Sequence, residues 1–530
     1  MTASEHQLHD NPPADDDDIV NGEDADDRDF DENDDEEEDE DYEIKPPPPP
    51  PQSPEIIRSK LMKLSAKLET EPVPLRVHDI VIKGNTKTKD SVIEDEIIED
   101  LQNASSLQEI FRAASIAHMK LRRFGVFDEI SITLEPGPKE LPEKTTNVVV
   151  QVVEAKSPFT FEGGVYAKPG ARTWSVEGCG KFKNLFGLAD ILDGTISYGW
   201  NQSTEISVGA TVPRIRRWAT PMFARASLLS QDWQVLSSYK EQSLGVGLGL
   251  LSTKNHDLTY NLTWRTLIDP SQMAGASVRR QLGHSLISSL KHTFKVDKRN
   301  SPMRPTRGYA FSFSTLLAGL NPDNRSGRFI RQELDLRYAL PLGFYNTALN
   351  LGISAGVIFP WGKGFLDRPS SLPDRFFMGG NSSPVCSLSG PNSLLGFKSR
   401  GFGPTEPRRQ TRENAESDSS AAAARDVLGG DLAVSAFADL SFDLPLRVFK
   451  EAGIHGHVFA AAGNLTKLTE NEWRNFSAKG FLDTFRSTVG CGIIVPTKLF
   501  RMEINYCHIV RQFEHDHGKT GVQFSFSSPL

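Results

Sequence analysis

The chain has 530 residues and a formal net charge of −10, but residues 1–45 hold 22 Asp and Glu against Arg28 and Lys45 (−20), leaving the body at +10 with 57 Lys and Arg against 47 Asp and Glu. With 38% hydrophobic residues a packed or membrane-embedded body is possible, whereas the mean hydropathy of −0.37 and the lack of any apolar run of ~18 residues exclude a helical membrane protein. Cys179, Cys386, Cys491 and Cys507 match no metal or disulfide spacing, and neither a secretory signal nor an Arg-rich transit peptide is expected at the N-terminus.

The acidic stretch 1–45 is too poor in apolar groups to offset ordering entropy and is expected to be disordered. Pro46–Pro51 then favour a stiff polyproline II spacer within a Pro-rich lead-in, 46–74. Residues 75–155 read as a small α+β unit in the order β-α-α-β-β. Val77, Ile80 and Ile82 precede a Gly84-Asn85 turn, and Val92, Ile93, Ile97 and Ile98 recur at helical spacing. A second helix places Leu107, Ile110, Phe111, Ala114, Ile116, Met119 and Leu121 on or near one face. Gly125 ends it, and strands Ile130–Leu134 and Asn147–Val153 close the unit.

From residue 159 the apolar period becomes two. Leu258, Tyr260, Leu262 and Trp264 alternate with Asp257, Thr259, Asn261, Thr263 and Arg265. Ile330, Leu334, Leu336, Tyr338 and Leu340 alternate with Arg331, Glu333, Asp335 and Arg337. Four charges on one strand face fit a watery lumen opposite a lipid-facing band. Backbone groups in lipid must all be paired, so such strands close into a barrel. The expectation is mainly β: a 16-stranded antiparallel transmembrane barrel over 159–528. Its strands fall at 159–168, 173–183, 189–200, 203–213, 221–231, 240–252, 256–268, 280–298, 306–320, 327–341, 344–360, 430–445, 453–463, 484–496, 499–511 and 518–528. A long loop, 361–429, separates the eleventh from the twelfth, and its 405–426 stretch is expected to be a mobile insert.

Enzyme motifs fail on context. Gly352-Ile353-Ser354-Ala355-Gly356 spells a nucleophile elbow but lies inside a strand. Gly245-Val246-Gly247-Leu248-Gly249 resembles a phosphate loop but has strand period and no helix after it. His515-Asp516-His517 lacks further ligands, so no metal and no cofactor are expected. The body's positive charge has no aromatic stacking platform, which argues against nucleic acid. No enzyme is expected.

One soluble β-α-α-β-β unit before sixteen strands resembles the outer-membrane β-barrel assembly family, whose soluble units are POTRA domains. A single unit, an acidic start and no bacterial signal look most like its mitochondrial sorting and assembly machinery branch. The resemblance covers about 75–530. It is carried by Val81-Ile82-Lys83-Gly84-Asn85, Asn184-Leu185-Phe186-Gly187 and Arg375-Phe376-Phe377-Met378-Gly379-Gly380. Gly396-Phe397 in the long loop and Gly463-Asn464-Leu465 on the thirteenth strand add to it, as does Lys519-Thr520-Gly521-Val522-Gln523-Phe524-Ser525-Phe526, similar to a mitochondrial barrel sorting signal. The family's loop carries an apolar-Arg-Gly-aromatic tetrad whose arginine meets a polar residue of the thirteenth strand. Aligned on Gly403-Pro404, this chain has Leu394, Leu395, Gly396 and Phe397 there, and Phe459, Ala461 and Gly463 on the strand, with Ala461 in the polar partner's place. A rival alignment takes Arg400-Gly401-Phe402 as the tetrad but leaves no spacer before Gly403. Under the first, the loop is expected to be anchored by apolar and main-chain contacts.

The resemblance implies an insertase that folds barrel precursors into the mitochondrial outer membrane, with the N-terminal tail and POTRA domain in the intermembrane space. A client's terminal strand would pair with an opened first strand, Phe159, Phe161, Gly163, Gly164, Val165 and Tyr166, across a gate whose other side is Lys519, Gly521, Val522, Phe524 and Phe526. Unfolded barrel precursors, accessory subunits and the bilayer are the implied partners. A chloroplast-type polypeptide-translocating pore and a metabolite porin are the alternatives.

Overall fold

The computed structural model describes residues 73–137, 145–166, 175–200, 202–214, 220–251, 255–320, 327–362, 369–386, 388, 390–409, 425–470, 472–497 and 501–527. The acidic tail 1–45 and nearly all of the Pro-rich lead-in lie outside these residues.

The first unit runs β1 (Arg76–Lys83), α1 (Asp90–Gln102), α2 (Leu107–Arg123), β2 (Phe127–Pro136), β3 (Thr145–Glu154). Strand β3 is central, parallel to β1 and antiparallel to β2, and buries Val148, Val150 and Val152. Over this sheet lie Val92, Ile93, Ile97 and Leu101 of α1 and Ile110, Ala113, Ala117 and Leu121 of α2. Helix α2 starts where Ser106 accepts from the Glu109 N–H at 3.3 Å and the Glu109 carboxylate accepts from the Ser105 N–H at 2.8 Å, a capping-box exchange. The expected inner face of this helix is corrected at two positions: Phe111 and Met119 are both 56% exposed. At ~100° per residue, the buried 110/113/117/121 stripe leaves both on the outer side.

The barrel consists of β4 (Phe159–Tyr166), β5 (Ser175–Lys183), β6 (Ile191–Gly199), β7 (Thr204–Val212), β8 (Met222–Asp232), β9 (Lys240–Leu251), β10 (His256–Ile268), β11 (Gly283–Asp297), β12 (Gly308–Ala318), β13 (Phe329–Pro341) and β14 (Ala348–Pro360). Within the loop that follows, β15 (Thr405–Pro407) pairs with β16 (Arg425–Val427). The sheet resumes with β17 (Leu432–Asp443), β18 (His455–Thr466), β19 (Arg486–Pro496), β20 (Arg501–Arg511) and β21 (Gly521–Ser527). Each strand pairs antiparallel with its chain neighbour, and β14 pairs with β17 across the loop, giving one 16-stranded sheet. The expected mobile insert is thus corrected at both ends, where residues 405–407 and 425–427 form a ladder; residues 410–424 lie outside the described set.

Alternation decides which face looks out. Ile196, Tyr198, Val246, Leu248, Leu262, Trp264, Leu336 and Tyr338 are exposed on the outer face. On the inner face of β13, Arg331 pairs with Glu333 at 2.5 Å and Arg337 with Asp335 at 3.2 Å. Gly245, Gly247 and Gly249 lie within β9 and Ser354 within β14, where the Arg337 guanidinium donates to its hydroxyl at 3.0 Å. Gly247 and Gly249 are inward positions with no room for a side chain: a Cβ would stand 2.5 Å from Asn261 Oδ1 and 2.1 Å from the Phe223 ring. Among the described residues no helix is long and apolar enough to cross a membrane.

Candidate functional site at the barrel seam

Strands β4 and β21 end the sheet, and no ladder joins them among the described residues, although their edges come within 8 Å, Cα to Cα. Strand β21 pairs with β20 from Cys507↔Gly521 to Arg501↔Ser527. Strand β4 pairs with β5 throughout, Gly163 facing Gly178 and Gly164 facing Glu177, so the glycine pair does not interrupt this ladder. Because Lys183 N–H donates to Pro158 O at 2.7 Å, alternation turns the main-chain groups of 160, 162 and 164 toward β5. The N–H and C=O of Phe159, Phe161, Gly163 and Val165 therefore point into the seam. Phe161 is 68% exposed, its ring lying over Gly178, while Phe159 covers Gly180 and meets Phe182 at 4.7 Å. Across the gap Val522 and Phe524 are exposed, and Gln523 and Ser525 are buried. For Val165, Tyr166 and Phe526 only strand register is described.

The long loop turns inward and lines the lumen. Phe376, Met378, Leu394, Phe397 and Phe402 pack with Ile287, Phe329, Ile358, Ala433, Ala461 and Leu465 of the inner wall. Leu395 packs with Phe459 and Cys507. Gly463 leaves room where Met378 and Leu394 arrive: a Cβ there would be 2.7 Å from the Met378 methyl. Main-chain bonds splice the loop to the turn leading into β21. Lys519 N–H donates to Gly396 O at 2.7 Å, Lys398 N–H to His517 O at 3.0 Å and His517 N–H to Gly401 O at 2.6 Å, while Gly396 N–H donates to Gln523 Oε1 at 3.3 Å. Gly396 has φ +92 and abuts Thr488, so this splice needs glycine. Asp516 between the two histidines receives Arg486 at 3.0 and 3.1 Å, which makes it a loop ion pair.

At the loop's other margin Asp431, fully buried, accepts from the N–H groups of Leu468 and Thr469 at 2.9 and 3.1 Å and from the Ser370 hydroxyl. Asp374 accepts from Arg265 at 2.8 and 3.2 Å. Asp426 takes the Ser238 hydroxyl at 2.6 Å, the Gly275 N–H at 2.8 Å and Arg408 at 2.8 Å. Beneath the loop, Arg501 pairs with Glu503 at 2.7 Å, and His457 bridges Asp439 at 2.6 Å to Asn505 at 2.7 Å. A cavity of about 350 Å³ remains beside the loop, lined by Arg225, Asn261, Arg265 and Asp374.

The soluble unit is joined to the barrel just ahead of β4. The Glu154 carboxylate accepts from the Thr86 hydroxyl at 2.5 Å, the Thr88 hydroxyl at 2.6 Å and the N–H groups of Thr88 and Lys87 at 2.7 and 3.1 Å. Burial raises the pKa of this carboxyl, but these donors together outweigh it and hold the value at about 2. Thr88 in turn accepts from the Asn184 amide at 2.8 Å, and Lys89 N–H donates to Gly187 O at 2.9 Å. A Cβ on Gly187 would stand 2.4 Å from Lys87 O. Arg214 adds an ion pair to Glu96 at 2.9 Å.

A family model for the Omp85 superfamily domain matches residues 184–528. The chain belongs to the Omp85 superfamily. A second model, for POTRA (surface antigen variable number repeat), matches residues 75–155 of this Omp85 chain. It is 28% identical to a mouse protein (Mus musculus) named sorting and assembly machinery component 50 homolog, over 84% of the chain and 89% of that protein. It is 27% identical to component 50 homolog B of Xenopus laevis, over 85% and 88%. The outer membrane protein assembly factor BamA of Neorickettsia risticii is 24% identical over 86% of this chain and 55% of that one. Among solved structures, BamA from Haemophilus ducreyi lacking POTRA domains 1–3 superposes with a TM-score of 0.67 at 16% identity, over 86% of this chain and 84% of that one, a likeness of fold.

The geometry brings two groups of sequence-derived residues together: Leu394–Phe397 of the loop meet the thirteenth strand, and Lys519 and Gln523 meet Gly396. Among the described residues the first and last strands approach without pairing. Sequence reasoning did not find Glu154, Thr88 and Asn184 as the joint. The Asn184–Gly187 motif was a signal for it, but nothing local pointed from Asn184 to a residue 96 positions earlier.

Proposed function

We propose that this Omp85 chain is an insertase of the mitochondrial outer membrane that folds β-barrel precursors, a client's terminal strand pairing with the free edge of β4. The observation that carries the reading is the seam: among the described residues, in a sheet otherwise paired on both sides, β4 and β21 each present an open edge. An unpaired peptide group costs several kcal/mol in lipid, so an incoming strand needs a template before it leaves water. The seam-facing N–H and C=O groups at 159, 161, 163 and 165 offer one by β-augmentation. The names of the mouse, frog and bacterial relatives, a sorting and assembly component and an assembly factor, support the same role. With an even number of strands the POTRA domain and the end of β21 share one side, which this reading makes the intermembrane space; accessory subunits and unfolded precursors are its partners.

A pore is less well supported, because the loop packs apolar side chains across the inner wall from β11 to β18. Cysteines placed singly along 159–164 should cross-link to an arresting client's terminal strand, and depletion of the chain should stop other barrel proteins from inserting. Cross-links confined to lumen or POTRA positions would overturn the pairing mechanism; undiminished insertion after depletion would overturn the role.

A further inference from the structure

Arg400 is unusual in three independent ways. It is 6% exposed, it lies in the left-handed region at φ +53, and among the described residues no carboxylate comes within ion-pair distance of its guanidinium. A buried charge without an acid is costly, and a non-glycine residue persists at positive φ only when its surroundings enforce it. Here the surroundings are aromatic. The guanidinium carbon stands 3.5 Å from the Trp233 ring centre and 3.8 Å from that of Phe377, with Tyr239 completing the box at 5.6 Å. Its Nη1 donates to the Tyr239 hydroxyl at 2.9 Å and to Ser237 Oγ at 3.3 Å. Trp233, Ser237 and Tyr239 belong to the connection between β8 and β9, far round the sheet from the seam.

The residues flanking Arg400 make the splice to the β21 lead-in: Lys398 bonds His517 on one side, and Gly401 receives His517 N–H on the other. A planar, weakly hydrated cation suits such a box, because stacking and the ring quadrupoles replace part of its lost hydration. The loop segment 396–403 is thereby stretched between two fixed points, the β8–β9 rim and the hairpin that feeds the last strand. Strand β4 has no such tie: among the described residues its main-chain hydrogen bonds to the barrel run to β5, directly and through Pro158, and it approaches β21 without a ladder.

We propose that Arg400 is the positioning residue of the loop: seated in its aromatic box, it holds residues 396–403 against 517–519 and so fixes the β21 side of the seam, leaving β4 as the edge that moves. This deepens the insertase reading and rests on it for its functional consequence, although the latch itself is a statement about the resting barrel.

The test uses the full-length chain in outer membranes, with its four cysteines replaced by serine. Lys398→Cys and His517→Cys put thiols at two exposed, facing positions of the splice, and mild oxidation reads how firmly it is held. With Arg400 present, cross-linking should be fast, and the cross-linked chain should insert a radiolabelled barrel precursor as well as the reduced one. Arg400→Ala should slow cross-linking several-fold and lower insertion several-fold, Arg400→Lys should lie between, and oxidising the Arg400→Ala chain should restore insertion. Restoration by a tether is a readout that general misfolding would not give, and heat-modified gel mobility checks that each barrel is folded. Unchanged cross-linking in Arg400→Ala, or loss of insertion when the Arg400 chain is cross-linked, would overturn the latch. If no variant, oxidised or reduced, inserts the precursor, the insertase reading fails, and the cross-linking rates still decide the latch.

Discussion

The wall formed by β11, β13 and β14 and the seam formed by β4 and β21 are built from the same alternating pattern at different lengths. Among the described residues the wall strands have 15, 13 and 13 residues and the seam strands 8 and 7. At ~3.3 Å per residue and ~40° tilt, 13 residues reach about 33 Å, enough for a hydrocarbon core of ~30 Å. Seven or eight residues reach only about 18–20 Å by the same geometry. The wall is paired on both edges and packed inside by the loop, while among the described residues the seam has one free edge per strand. In the proposed mechanism this edge is where the sheet exchanges partners, and backbone groups that lie near the headgroups have water to lower the cost of a transiently unpaired bond.

The sharpest way to break the comparison is to spoil the free edge while sparing the ladder. Gly163→Pro removes an N–H that faces the seam, whereas Gly164→Pro removes one that faces β5. Insertion of precursors should fall roughly tenfold or more with Gly163→Pro while the barrel keeps its heat-modified mobility, since one lost bond in lipid costs several kcal/mol. Gly164→Pro should instead weaken the barrel itself; equal behaviour of the two would remove the edge from the mechanism. Next in size is the loop's apolar anchor. Leu395→Arg puts a charge beside Phe459 and Cys507 and should destabilise loop docking by about 3–5 kcal/mol, read as protease sensitivity of the loop. Adding Ala461→Asp should recover a large part of that loss in a double-mutant cycle. Gly396→Ala should cost about 1–3 kcal/mol in the same assay, because a Cβ at φ +92 would stand 2.8 Å from Thr488 Cγ2.

The wall was more legible in the sequence than the loop, for a physical reason. Period-two alternation is a local signal, so sixteen strands could be placed within a few residues, and Gly245, Gly247 and Gly249 could be read as strand positions and not a phosphate loop. Helix α2 shows the limit of local pattern: Phe111 and Met119 are apolar at near-helical spacing, yet only the sheet decides which stripe is buried. The loop's contacts are almost all distant in sequence. Leu394–Phe397 could be read as an apolar anchor because the resemblance, aligned on Gly403-Pro404, sets Leu395 and Ala461 where an arginine and its polar partner are expected, but the box around Arg400 joins residues from 233, 239 and 377, which share no local pattern.

The smallest effect concerns how the free strand is held at its base. Glu154 ends β3 four residues before Pro158, and its carboxylate organises residues 86–88, which contact Asn184 and Gly187 of the barrel. Its folded-state pKa, about 2, lies below the usual value of 4.5. A depressed carboxylate contributes stability that is fully present above pH ~4.5 and is lost as pH falls toward ~2, because the unfolded state takes up the proton first. The carboxylate is partly exposed, so solvent screening reduces the contribution to about 1–2 kcal/mol. Denaturant unfolding of the full chain in detergent, followed through a POTRA probe, should show this loss between pH 4.5 and 2, and Glu154→Gln should flatten it. The wall, which has no contact with this joint, should show no change in heat-modified mobility over that window. If barrel and POTRA probes lose stability together and Glu154→Gln leaves the profile intact, the joint does not set the base of β4, and the asymmetry between wall and seam rests on strand length and the free edge alone.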